Sequence, residues 1–503
     1  MAASLADILA QARSGALDQA WASFFASGFG DARDNPAALT LKGRLLKDRA
    51  RRHEGAARVR LYVEAGAAYA AAAALRPATY PLINAASLAL LAGDPARARA
   101  LAEEVLALIA SGQDEAETPY WLAATRAEAL LLIGRPEAAE AVLAEAVAQA
   151  PEAWEDHAAT LRQFAAICEA QGASADWLAA FRPPASVHFS GMMGLAPDDR
   201  ETLGRLDEVI EREQPGFAFG ALAAGGDIVI AERLQAEGAR LHVVLPCPVA
   251  AFVETSVAAF GREWVPRFDA LLADAARVEC LGSGETLLPA AIRLADESAM
   301  GLALLHARRL ESRAFSLRVE DRVRRRARMD PWLEAGQPLV RITADRVTGP
   351  VRGRVRTSGD IAAVLAIAGA LAPCRVASGT PARWRVLVDG STVHAFDSPA
   401  LALQAARGLR MGRDDIRMGL DYALVDRDAA TALALAGATA LAAAAAPGRL
   451  LASRSAALAL AVHAPDSESE MCGELRTASG VIEVASIPLE EPDFSRSDSP
   501  AAG

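Results

Sequence analysis

Two stretches of this chain repeat each other: LLAGDPARARALAEEVL from Leu90 and LLIGRPEAAEAVLAEAV from Leu131 share the pattern LLxGxPxxA. Glycine accepts the left-handed backbone that ends a helix, and proline pre-sets the first turn of the next, so Gly93/Pro95 and Gly134/Pro136 each read as a helix-to-helix junction. Gly134 follows Gly93 by 41 residues, a period found in arrays of stacked helix pairs. Apolar residues elsewhere in residues 1–182 recur at helical spacing, as in LADILAQA and ARALAEEVLALIA. The expectation is an all-α region, either a solenoid of helix pairs or a plain bundle. A solenoid offers an extended concave face for a protein partner, which could be another copy of the chain.

From Val187 the pattern changes. Short apolar runs, VHFSG, FAFGAL, LHVVLP, VECLG and AFSLRV, alternate with amphipathic segments, which predicts an α/β Rossmann-like parallel sheet over 183–320. In FAFGALAAGGDIVIAERL a strand runs through the small-residue turn Gly220–Gly226 into a helix with Asp227 near its start. Such a turn can aim N–H groups at a phosphate, but a carboxylate there caps the helix itself and better suits a hydroxyl contact. The turn has neither GxGxxG nor GK[ST], so close packing of helix on sheet explains the small residues equally well.

Length and charge bound the rest. At 503 residues the chain has room for roughly three domains. A net charge of −11 argues against nucleic acid and acidic membranes as partners. The five cysteines are odd in number, scattered and without a CxxC pair, which fits a reducing cytoplasm and implies neither zinc nor disulfides. The segment MAASLADILAQARSG is not a secretory signal, and no uncharged apolar run has membrane-spanning length and flanks, so the expected location is cytoplasmic. Residues 321–337, with Arg322, Arg324, Arg325, Arg326 and Arg328, read as a solvated linker or a face that pairs with acids nearby. The acidic, Ser- and Pro-bearing tail 491–503 reads as disordered.

The run VLVDGSTVHAFDSPALALQAA resembles the strand, turn, strand and helix of class III adenylyl and guanylyl cyclases, whose pattern there is close to GDGxxAxFDSPxxAxxAA. IRMGLDYALV and APGRLLAS continue the resemblance in register, implying an α+β, ferredoxin-like domain over 338–490. Catalysis in that family needs two carboxylates on two metal ions, with an Asn and an Arg that orient the ribose and meet charge in transit. The resemblance puts Asp345, in PLVRITADRV, and Asp389 at the metal positions, implying Mg²⁺ or Mn²⁺ if the site holds a nucleotide. Aspartates at strand ends serve equally as caps and turns. DIAAVLAIAGALA takes the place of the helix after the metal loop, and Arg385 that of the base-reading lysine. The Asn and Arg positions fall on Ala436 and Ala440. Removing one oriented donor typically costs about 10²–10³ in rate, and here two are absent. Asp428 and Ala429 stand near the base-reading acid, and Asp421 and Tyr422 replace the usual His and small residue.

The ordered set FSGMM, FGALAAGGDIVIAERL, LHVVLP, FVETSV and AMGLALL resembles the Rossmannoid module of bacterial proteins that join tetratricopeptide-like repeats to a cyclase-type domain. That module is similar to the SLOG superfamily, which binds or processes nucleotide-derived ligands. The resemblance implies a site at Ser190, Gly191, Gly220, Ala221, Gly225 and Asp227, with Glu254, Ser256 and Arg267 beside it. The superfamily's PGGxGTxxE motif is absent, which favours binding over turnover. The expected chain is a cytosolic signalling protein: tetratricopeptide-like scaffold, nucleotide-sensing Rossmannoid, and pseudo-cyclase that pairs as a homodimer or heterodimer. The alternative is an enzyme, either a class III cyclase working through Asp345 and Asp389 or a nucleotide-processing Rossmannoid.

Overall fold

The computed structural model describes residues 3–489 apart from 14–15, 113–117, 283–286, 324–329, 348–358, 369–381, 389, 412, 414, 427–431 and 478–479. The chain forms two compact units, 1–183 with 309–312, and 184–308 with 313–503.

The first unit is helical: α1 (Leu5–Arg13), α2 (Leu17–Ala26), α3 (Pro36–Ala50), α4 (Gly55–Leu75), α5 (Thr79–Leu91), α6 (Pro95–Ser111), α7 (Pro119–Leu132), α8 (Pro136–Gln149) and α9 (Trp154–Ala170). Both repeat junctions form as their residues dictate. Gly93 and Gly134 adopt φ of +89° and +79°, and α6 and α8 open on Pro95 and Pro136. Asn35, Asp94 and Thr118 cap α3, α6 and α7 through their side chains, each followed by proline. From α1 to α8 consecutive helices pack as neighbours, while α9 packs on α5 and α7, and α5 also contacts α7. Leu82, Ala86, Leu130, Leu143 and Phe164 lie in one shared core.

The second unit holds two sheets. Its first part runs β1 (Ala185–Gly191), α10 (Arg200–Glu213), β2 (Pro215–Gly220), α11 (Gly226–Ala236), β3 (Arg240–Leu245), α12 (Val249–Phe252), α13 (Trp264–Ala273), β4 (Arg277–Cys280), α14 (Pro289–Arg309), β5 (Ala314–Asp321), α15 (Pro331–Glu334) and β6 (Leu339–Ala344). The strands form a six-stranded sheet, order β4-β3-β2-β1-β5-β6, with every pairing parallel. All five expected strands are present. The sixth is a correction: β6, which the sequence placed in the cyclase-like domain, hydrogen-bonds along β5. Nor is 321–337 simply a solvated linker, because α15 lies within it and buries Trp332 completely.

The remainder runs β7 (Gly359–Ala368), β8 (Trp384–Val388), β9 (Ser391–Phe396), α16 (Pro399–Arg410), β10 (Arg417–Asp426), α17 (Ala432–Ala444), β11 (Leu450–Ser453), α18 (Arg454–His463), β12 (Glu470–Thr477) and β13 (Gly480–Ile487). The order is β12-β13-β11-β10-β7-β9-β8, antiparallel except where β10 meets β11. The expected helix DIAAVLAIAGALA is instead strand β7 over its first part. Ile361–Ile367 is buried throughout because β7 lies between β9 and β10 with both faces covered, and a strand covered on both faces has no alternation to reveal it.

Helix α14 joins the two sheets. Ser298 and Met300 are buried along it, while Ala290 and Leu294 enter the core of the second sheet with Ile361, Leu365 and Leu420. Gly301 lies so close to α18 that a Cβ there would stand 2.3 Å from the Leu458 carbonyl oxygen. Arg454 of α18 also reaches β4, donating to both carboxylate oxygens of Glu279 at 2.5 and 2.8 Å.

Candidate functional site

In the parallel sheet the chain moves from β1 through β2 and β3 to β4, then returns by α14 to β5 on the other side of β1. The carboxyl end of β1 is therefore the switch point where open α/β sheets leave a crevice. Ser190 and Gly191 end β1 there, and Ala221 follows β2; all three are half-buried. Gly220, Gly225 and Asp227 are buried beside them. The structure thus gathers all six expected ligand residues at one end of the sheet.

Their contacts are chiefly with one another. Asp227 accepts hydrogen bonds from Gly191 N–H at 2.6 Å and Ala223 N–H at 3.0 Å. The Gly226 N–H donates to the Met192 carbonyl at 2.9 Å. A Cβ on Gly191 would stand 2.3 Å from Gly226 backbone, and one on Gly220 would stand 2.5 Å from the Phe189 carbonyl. Glycine is needed because two backbones touch. Burial pushes the Asp227 carboxyl up to about 7, with Asp296 adding to the rise, although both N–H donors pull the other way. Of the outlying residues, Ser256 joins the turn through its carbonyl, which accepts from Ala224 N–H at 2.9 Å. Arg267 is engaged by Glu232 at 2.7 Å and lies 4.3 Å over the Trp264 ring, and Glu254 is exposed.

A polar cluster that sequence reasoning missed lies on the α14 side of β1. His188 is wholly buried, with Nδ1 2.9 Å from Ser316 Oγ, Nε2 3.0 Å from Asp296 Oδ1, and its ring stacked on Trp332 at 5.7 Å. Arg318 donates to Ser316 Oγ at 3.0 Å and pairs with Asp330 at 2.5 Å. Burial works to raise the Asp296 carboxyl, but the charge and hydrogen bond of His188 outweigh it and hold the group below 3.8. Asp296, Arg318 and Asp330, with Arg293, Ser398 and His463, line a cavity of about 1380 Å³. The one clue in the sequence was the alternation in SVHFS, which turns Ser186, His188 and Ser190 to one face and Val187 and Phe189 to the other. Ser316 is fully buried, so this Ser, His and Asp arrangement presents no nucleophile and serves to tie β1, β5 and α14 together.

Asp345 follows β6 at the edge of the parallel sheet, 78% exposed and paired with Arg322 at 3.1 Å. Asp389 lies outside the described residues, between β8 and β9 of the other sheet. The strand beside β9 and β10 is β7, whose one carboxylate among its described residues, Asp360, is at its start and held by Arg293 at 2.7 Å and Arg383 at 3.1 Å. Asp345 thus stands on the parallel sheet, while the Asp389 half of the expected Mg²⁺ or Mn²⁺ pair lies outside the described residues. Arg385 is exposed on the edge strand β8. On α17, Ala436 is exposed and Ala440 half-buried. Asp421 of β10 is committed internally, accepting from Ser453 Oγ at 2.6 Å and Tyr422 N–H at 2.9 Å, and burial raises its carboxyl. Asp428, Ala429 and the arginines at 324–328 lie outside the described residues. No protein-family model matches the chain, and no curated protein matches its sequence.

Proposed function

We propose that this chain is a non-catalytic regulatory protein: a tetratricopeptide-like helical scaffold, a SLOG-like Rossmannoid that takes a nucleotide-derived ligand, and a class III cyclase-like domain kept for shape and pairing. The cyclase-like reading is supported by the strand order β10-β7-β9-β8, which is the order of a ferredoxin-like sheet, with α16 joining β9 to β10; the β7–β8 connection lies outside the described residues. Loss of catalysis rests on one observation. The α17 positions where the family carries its transition-state groups are alanines, one of them solvent-exposed, so no neighbouring side chain of α17 substitutes at those points. The ligand reading is supported by the gathering of Ser190, Gly191 and Ala221, half-exposed, at the switch point. Because Asp227 already occupies the Gly191 and Ala223 N–H groups, the ligand contacts the rim rather than a phosphate cradle.

The direct test is full-length protein with Mn²⁺ and ATP or GTP, assayed for cyclic nucleotide. The expected result is no turnover; cyclic product that Asp389→Ala abolishes would sink the non-catalytic reading. Calorimetry against ATP, GTP, NAD⁺ and ADP-ribose tests the sensor, with Ala221→Trp expected to weaken whichever binds. Silence from the whole panel would remove the sensor and leave a structural role.

A further inference from the structure

Six helices of the first unit, α1, α3, α4, α5, α7 and α9, line a cavity of about 790 Å³. Six cationic side chains border it, Arg13, Arg44, Lys47, Arg51, Arg76 and Arg162, against three acids, Asp48, Glu128 and Asp156. Along α3 and its C-cap, Arg44, Lys47 and Arg51 recur at i, i+3 and i+7, which sets all three on one helix face toward the cavity.

Their local pairing leaves positive charge over. Lys47 Nζ donates to Asn84 Oδ1 at 2.9 Å, a neutral acceptor. Burial, and next the charge of Arg51, push the Lys47 ammonium down to about 8. Arg51 and Arg44 share one acid, Asp48, at 3.3 and 3.7 Å, and Arg162 pairs with Glu311 at 3.0 Å, yet Arg44 Nε and Arg162 Nε are each buried without a hydrogen-bond partner. Glu128, the acid facing Lys47, has its carboxyl raised by burial, so enclosure weakens negative as well as positive charge here, while guanidinium groups in general stay charged. Buried N–H groups of charged side chains seldom stay without acceptors, and an ammonium crowded by like charge is relieved by an incoming anion.

Size and lining narrow the occupant. A volume near 790 Å³ matches a small-molecule site rather than a docked domain. Tyr80 and Trp121 add aromatic surface beside the cations. We propose that this cavity binds a small, multiply charged anion, a phosphorylated or polycarboxylate metabolite, with Arg44, Lys47 and Arg51 as its principal contacts. The anion supplies acceptors to the guanidinium groups and a counter-charge to the enclosed ammonium. The site belongs to the helical unit, and its success or failure is independent of the function proposed above.

Calorimetry and thermal unfolding of the full chain with sodium pyrophosphate, and separately with citrate, test it. At least one is expected to bind and raise the unfolding temperature, and the tighter of the two identifies phosphate or carboxylate chemistry. Arg44→Gln/Arg51→Gln should weaken binding by roughly tenfold or more while leaving helical content unchanged. If that pair unfolds the protein, Arg51→Gln alone, at a half-exposed position, gives the same reading. Absence of binding by both anions at millimolar concentration, or binding equally tight in the variants, overturns the proposal.

Discussion

At the start of α11 a single carboxylate holds two backbone N–H groups from different segments, Gly191 at the end of β1 and Ala223 after β2. Its protonation is therefore tied to stability. The native carboxyl titrates near 7, above its ordinary 3.8, so the folded state holds the proton more tightly than the unfolded chain. That contribution is fully present below pH 3.8 and is lost as pH rises through about 7. Unfolding temperature should thus fall between about pH 4 and 7, and Asp227→Asn should flatten the slope, as calorimetric scans across that range would record. An unchanged slope would mean another group dominates. Gly191→Ala should destabilise by about 1–3 kcal/mol in denaturant titration, since its Cβ has only backbone to displace. The sequence singled out both residues, through glycines around one acid at a strand-to-helix turn. Their mutual contact was hidden because it depends on the loop after β1 folding onto Gly226. His188 was illegible for a similar reason: Asp296 and Ser316 lie 108 and 128 residues away.

Among the elements, those with a clear local signal were readable. The Gly-x-Pro junctions placed α6 and α8 to the residue, and VLVDGSTVHAF gave the β8–β9 hairpin. The errors came where burial on both faces erased periodicity, at β7, and where pairing alone decides membership, at β6. No local pattern tells which of two sheets an edge strand joins. The packing of α17 onto β10 yields a sharp test: a Cβ on Gly419 would stand 2.3 Å from both the Ala438 carbonyl and the Ala442 nitrogen. Gly419→Val should lower stability by about 1–3 kcal/mol or more, while Ala436→Val, at an exposed position, should change it by under about 1 kcal/mol. Thermal melts of the two variants side by side check the contrast. In the helical unit, Asp94→Ala should cost about 1 kcal/mol by uncapping α6.

For the whole molecule, the change from helical to alternating patterns near residue 183 marked the one boundary that separates compact units. A boundary placed at 338 would run through the parallel sheet, since β6 pairs with β5. Charge and periodicity could not show this, because the join is made by α14 residues that read as an ordinary amphipathic helix. Limited proteolysis of the full chain should cut between the units before it separates the two sheets, and recovery of a stable fragment ending near residue 338 would contradict the structure. Helix α14 also bears on how such a chain changes over evolutionary time. Recombination at residue 338 would hand one descendant the helix and the other the apolar strands it covers, leaving each with a surface prone to aggregate. The two sheets should thus be exchanged only as a pair, since α14 gives Asp296 to His188 of one and packs Ala290, Leu294 and Gly301 against the other.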